Sequence, residues 1–179
     1  MARAGVVYAI DDLLRIESDG RRRAVDRDSP PVDDVFFLEN VSRASFEIAD
    51  KMEEFGLDKE GNFGFWLAGA AEYAIPIASK CEKEKVPRGE CIVAKMLNGE
   101  WVEPTGDYSL PFHGLKRADT YSMEVTGRRC TYLRGEIDPY PLSAFLNDLT
   151  ACFHTLIDIY RNKIGTYRKE GKCAWREIV

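Results

Sequence analysis

The chain has 179 residues, 45% of them hydrophobic and 31% charged, with a formal net charge of −5. That length suits one domain with a short appendage and can bury a core without staples. The acidic balance excludes a general binder of polymeric nucleic acid, which presents a broad basic surface.

In chain order, the first apolar residues, 6–16, fit either a short strand or a short helix. The segment 18–34 is dense in Arg, Asp and Pro, with Asp19-Gly20 as a turn signal and Pro30-Pro31 as a stop, so a linker or long loop is expected there. Asp33 and Asp34 then precede a predicted helix over 35–55, with Phe37, Val41, Ala44, Ile48 and Met52 at helical spacing and Gly56 ending it. These elements make up an N-terminal extension, 1–60. A second domain is expected over 61–179.

That domain opens on a helix following Gly61-Asn62. Trp66, Ala70, Tyr73 and Ile77 share one face of it, beside a ridge of small residues, Ala70, Ala74 and Ala78, that would let another helix come close. Pro76 removes a backbone donor and should bend this helix. The charged run 80–85 and then Pro87-Arg88-Gly89 are expected to carry the chain out to solvent. Residues 90–97 predict a strand built on Cys91, Ile92 and Val93, with a turn at Asn98-Gly99. After an irregular stretch, 120–126 and 129–137 alternate about Gly127-Arg128 as a β-hairpin. Asp138-Pro139-Tyr140-Pro141 cannot be regular strand or helix interior. From Leu142 the pattern is helical, and 149–161 is strongly amphipathic with Phe153, Leu156, Ile157 and Tyr160 inward.

The charge is unevenly distributed along these elements. Residues 1–60 hold fifteen acids against nine bases, a net of −6. Residues 115–134 carry a net of +3, from Lys116, Arg117, Arg128, Arg129 and Arg134 against Asp119 and Glu124. A local cationic patch on an acidic protein suits a compact anion; the alternative is a solvated basic hairpin.

The five cysteines (Cys81, Cys91, Cys130, Cys152 and Cys173) are scattered and never form a C-x-x-C pair. They are expected to be small buried hydrophobes in a reducing compartment, neither a disulfide framework nor a zinc site. Asp11 and Asp12 interrupt the early apolar run, so no signal peptide is visible. The most apolar stretch, 63–78, holds Glu72 and Pro76 and is short for a bilayer. A cytoplasmic protein is expected, with any membrane anchor outside this chain. No phosphate-binding glycine loop, zinc-protease helix or nucleophile elbow occurs. His154 falls among helix residues and suits packing or the surface, and His113 lies in a Pro/Gly loop with no adjacent nucleophile.

Three segments, taken in order, resemble the cyclic-dinucleotide-binding domain of the STING family (stimulator of interferon genes), nearer to its bacterial members. The helix Phe65-Trp66-Leu67-Ala68-Gly69-Ala70-Ala71-Glu72-Tyr73-Ala74-Ile75-Pro76-Ile77 is similar to that family's long dimer-forming helix. The basic hairpin over 121–134 is positioned like its lid. Asp138-Pro139-Tyr140-Pro141-Leu142-Ser143-Ala144-Phe145 resembles the turn that ends the lid and starts the next helix, where Cys152-Phe153-His154-Thr155-Leu156 continues the likeness. The resemblance covers residues 60–179. Ala70 and Ala71 stand where the family has aromatics, and 1–60 has no counterpart.

The resemblance implies an α/β (α+β) fold: a central mixed sheet flanked by helices, with a long dimerisation helix and a β-hairpin lid. It further implies a non-catalytic sensor, a homodimer around one cyclic dinucleotide, with cyclic di-GMP favoured and no cofactor. Such a sensor signals to an attached or separate effector in bacterial anti-phage innate immunity. Tyr73 would stack on a purine, or else serve core or dimer packing. Arg117, with Lys116 and Arg134, would reach phosphates or a guanine edge from the lid, where a guanidinium fork binds bidentately. Asp138 would accept from guanine N1–H and N2–H₂, or else make an Asx-type turn. Ser143 would donate to phosphate at a helix N-terminus, or act as an N-cap. Tyr121 and Tyr140 complete the implied ligand-binding set. Two other classes compete: an acidic protein–protein interaction or immunity module using the −6 region, and a small enzyme using His113 with Cys91 or Cys130.

Overall fold

The computed structural model describes residues 8–97, 100–102 and 139–169; for 58–59, 95–97, 100–102 and 164–169 it describes the backbone alone. Helix α1 spans Ile10–Val25. It starts with Asp11 and Asp12 and ends with Arg22 and Arg23, charges that complement the helix dipole at both ends. This helix corrects the first part of the expected linker over 18–34, since it runs straight through Asp19-Gly20 to Val25, while 26–33 form the connection to the next helix. Two features of the sequence explain the difference. The dense charges pair along the helix: Arg23 Nε donates to Asp19 at 3.0 Å and Arg21 to Glu17 at 2.6 Å. Gly20 is a contact residue rather than a turn, because a Cβ there would sit 2.7 Å from the Phe37 ring and closer still to the Thr150 hydroxyl.

Helix α2, Asp34–Glu54, falls within a residue of its predicted span. It ends in a Schellman motif: Leu57 N–H donates to the Met52 carbonyl at 2.8 Å and Gly56 N–H to that of Glu53 at 2.9 Å. Gly56 takes the left-handed φ of 78° that this motif requires. Helix α3, Asp58–Lys83, starts three residues before Gly61 and continues through Pro76. It lies against α2 at close range. A Cβ on Gly64 would meet the Ala49 Cβ at 2.8 Å and the Ser45 carbonyl at 3.0 Å. This close approach is made at Gly64, outside the expected small-residue ridge, in which Ala74 and Ala78 are buried and Ala70 half-buried. The deepest face of α3 is Phe63, Leu67, Ala71, Ala74 and Ala78, while Trp66, Ala70, Tyr73 and Ile77 are half-buried at its margin.

Strand β1, Ile92–Leu97, pairs antiparallel with β2, Glu100–Val102, in a register that sets Leu97 opposite Glu100 on either side of Asn98-Gly99. On its other edge β1 pairs antiparallel with β3, Tyr140–Pro141, with Ala94 opposite Tyr140 and Ile92 opposite Pro141, which corrects the expectation that 138–141 holds no strand; a two-residue edge strand tolerates a proline. Helix α4, Leu142–Lys169, follows at once. Two of its first backbone donors are satisfied from outside the helix, Leu142 N–H by the Cys91 carbonyl at 2.6 Å and Ser143 N–H by the Arg88 carbonyl at 3.1 Å. Phe153, Leu156, Ile157 and Tyr160 face inward as their spacing requires.

One hydrophobic cluster runs from Leu13 and Phe37 through Leu67 and Val93 to Phe145 and Tyr160, so residues before and after position 60 share it. The described residues are mostly helical, with a small sheet at one side, and this corrects the expected α/β fold with a central mixed sheet flanked by helices. The core is made where α2 meets α3 and α1 meets α4, and among the described side chains β1 adds Val93 and Ala94 to it beside Cys91. The predicted lid hairpin over 120–137 lies outside the described residues. No helix among the described residues is long and apolar enough to cross a membrane.

The cysteine expectation is corrected as well. Cys81, at the end of α3, and Cys91, just before β1, are joined in a disulfide with their Cα atoms 6.1 Å apart. Cys152 on α4 is also disulfide-bonded. The ten-residue separation of Cys81 and Cys91 hides their pairing in the sequence, because the intervening loop doubles back through Val86 N–H to the Cys81 carbonyl at 2.9 Å. Closing a loop of that size contributes about 3 kcal/mol by restricting the unfolded chain.

Candidate functional site

Tyr73 and the turn that starts α4 converge on the first residues of β1. The Tyr73 hydroxyl donates to the Val93 carbonyl at 3.3 Å, which fixes the far end of its half-buried ring to the strand. One residue further along, Ala94 pairs with Tyr140, and Cys91 accepts the first donor of α4. Along α3 the side bordering Tyr73 is open: Gly69, Glu72 and Pro76 are exposed, and a Cβ on Gly69 would meet nothing within 4 Å. Trp66, on the same face, stacks on Phe63 with ring centroids 6.2 Å apart and belongs to the core margin.

Tyr140 is fully buried, and its hydroxyl donates to the Asp148 carboxyl on α4. Ser143 is the second residue of α4, 4% exposed, with its backbone tied to Arg88. Both therefore form the floor beneath the α3–β1–α4 junction rather than its surface. Lys116, Arg117, Tyr121, Arg134 and Asp138 lie outside the described residues, as do His113 and Cys130. Cys91, the other thiol of the enzyme alternative, is 1% exposed and disulfide-bonded, so it offers no thiolate in this form.

Beneath this junction lies a charged cluster that sequence patterning does not single out. Arg88, expected to lead into solvent, is 4% exposed. Its Nε donates to Asp34 Oδ2 at 2.7 Å and its Nη2 to Oδ1 at 2.9 Å, a bidentate fork. Arg23 adds a third bond to Asp34 at 2.5 Å, and Asp26 accepts from Arg88 at 3.0 Å. Burial works against the Arg88 charge, but hydrogen bonding to Asp34 and the charges of Asp34 and Asp26 together outweigh it and hold the guanidinium above its ordinary pKa. No local signal marks the pair, since its members stand 54 residues apart. Asp148 had a faint one, as a carboxylate between the inward positions Phe145 and Cys152. Burial pushes its carboxyl up to about 8, against the lowering effect of the Tyr140 and Asn147 hydrogen bonds. On the far side of the fold, His154 Nδ1 lies 2.5 Å from Glu17 and Nε2 3.2 Å from Asp158, joining α4 to α1.

Among the described residues no group of three or more His, Cys, Asp or Glu is arranged to hold a metal ion. Compared with known proteins, the chain matches no family model, no curated protein and no solved structure.

Proposed function

We propose that this chain is a non-catalytic binding protein for a cyclic dinucleotide, cyclic di-GMP in preference, held between two copies of the chain. The observation that carries the proposal is the convergence of Tyr73 and the 139–143 turn on the same few residues of β1. The resemblance of 65–77 and 138–145 to the STING family supports the ligand class. The cationic segment 115–134, with Lys116, Arg117 and Arg134, supports an anionic ligand of small size.

In this account Tyr73 stacks on a base, Arg117 clamps a phosphate or guanine edge, and Asp138 reads the guanine N–H donors. Lys116, Arg134 and Tyr121 line the same cleft, while Tyr140 and Ser143 position it from below. The bound dimer then signals to an effector, in anti-phage defence.

Calorimetry on variants tests the assignment. Tyr73→Ala loses about 1–3 kcal/mol of binding, the worth of one stacked base, while Tyr73→Phe keeps most of it. Arg117→Ala and Asp138→Ala each weaken cyclic di-GMP at least tenfold, and Asp138→Ala narrows its preference over cyclic di-AMP. Wild-type affinity in Tyr73→Ala, Arg117→Ala and Asp138→Ala together overturns the site.

A further inference from the structure

Helix α2 carries an exposed stripe that the binding site does not use. Phe36 is 63% exposed and Phe46 47%, and Glu39 and Arg43 between them are exposed too. At 100° per residue these four side chains fall within one 80° sector of the helix. Phe46 meets Phe65 of α3 edge to face with ring centroids 5.3 Å apart, which widens the apolar end of the stripe. Arg43 also hydrogen-bonds Tyr8, and a guanidinium carries five N–H donors, more than one partner uses. Two large phenyl side chains thus stand exposed on one helix face, one at each end of a charged centre.

The order of the stripe identifies a partner. Phe36, Glu39, Arg43 and Phe46 are symmetric in position about residue 41, aromatic matched to aromatic and acid to base. Two copies of α2 laid antiparallel across a two-fold axis at that level set Phe36 of each copy on Phe46 of the other. The same operation sets each Glu39 on the partner copy's Arg43. An isologous contact needs a patch complementary to itself in this sense, and an unrelated ligand would not require the matched order. We infer that the Phe36–Glu39–Arg43–Phe46 face of α2 is a self-association surface, whose occupant is the same face of a second copy of this chain. The stripe is small, which places the contact with weak and transient associations. It does not depend on the nucleotide site, which lies on α3 and β1.

Sedimentation velocity of the full-length chain, over a concentration series, tests this with charge reversal. Glu39→Arg leaves two bases on the stripe and Arg43→Glu leaves two acids, so each variant alone is expected to weaken self-association about tenfold or more. Mixed in equal amounts, the two variants present opposite charges at every pairing and should associate as the wild type does. The double variant Glu39→Arg/Arg43→Glu restores the self-complementary order and should recover self-association. Phe36→Ser/Phe46→Ser should abolish it, and all four substitutions are at exposed positions, so circular dichroism stays unchanged. A wild type that is monomeric at 100-fold above micromolar concentration overturns the proposal, and would leave the stripe to a different protein. Single variants that associate like the wild type also overturn it, as does a mixture that stays apart.

Discussion

Asp34→Ala is expected to cost roughly 3–5 kcal/mol of unfolding free energy, measured by urea denaturation at neutral pH. The carboxylate is fully buried and accepts from two guanidinium groups, so its removal strands Arg88, itself 4% exposed, in the interior. Arg88→Leu should cost less, because Arg23 stays bound to Asp34 and keeps its charge matched. The double variant Asp34→Ala/Arg88→Leu should cost clearly less than the sum of the singles, by about 0.5–3 kcal/mol of coupling. The size of the effect follows from where the pair stands. Asp34 opens α2, Arg88 closes the loop before β1, and the Arg88 carbonyl receives a donor of α4. Arg88 thus ties α2 to α4, its guanidinium on Asp34 and its carbonyl on Ser143. Additive costs, or a loss below about 1 kcal/mol for Asp34→Ala, would mean the cluster is a surface ion pair in effect.

Asp148→Asn is expected to stabilise the protein at pH 8 and to do little at pH 4. The folded carboxyl titrates near 8, against an ordinary value of 3.8. Below about pH 4 the folded and unfolded chains both hold the proton, and the buried acid costs nothing. As pH rises toward 8 the unfolded chain releases the proton while the folded chain keeps it, so stability falls by up to about 1.4 kcal/mol per pH unit. Above pH 8 the loss levels off. An asparagine accepts the Tyr140 hydroxyl hydrogen bond without ionising, so the difference between variant and wild type should grow across this window. A difference independent of pH would show that Asp148 is ionised in the fold at neutrality.

Much of the helical frame was legible in the sequence. The spacing of Phe37, Val41, Ala44, Ile48 and Met52 fixed α2 to within a residue, because one amphipathic face is enough to specify a helix that packs on its neighbour. The strand over 92–97 and the inward face of α4 were equally plain. Helix α1 was hidden by Gly20, whose lack of a side chain reads as a turn in sequence but serves close contact with Phe37 and Thr150 in space. The sheet was overestimated for a different reason. A strand such as Ile92–Leu97 is recognised from its own residues, but the number of partners it gains is decided by distant chain.

The candidate site was legible to a smaller extent. Tyr73 shares a half-buried face with Trp66, Ala70 and Ile77 as their spacing requires, but the hydrogen bond that fixes it to Val93 is a tertiary fact. Tyr140 reads as an exposed turn residue between prolines, yet the core claims its ring and Asp148 its hydroxyl. Arg88 between Pro87 and Gly89 has every local mark of a solvent loop; only Asp34, brought in by the packing of α2, gives it a reason to be buried. Long-range charge pairing and disulfide closure leave no periodic trace, and both were missed on that account.

The claim that the chain binds a cyclic dinucleotide is tested most directly by titrating the full-length protein with cyclic di-GMP, cyclic GMP-AMP and cyclic di-AMP in parallel. Cyclic di-GMP is predicted to bind with saturating heat at one ligand per two chains, and at about 100 times its dissociation constant to add roughly 2.7 kcal/mol of stability. Cyclic di-AMP should bind more weakly. An absence of heat and an unchanged melting temperature with all three ligands would contradict the account.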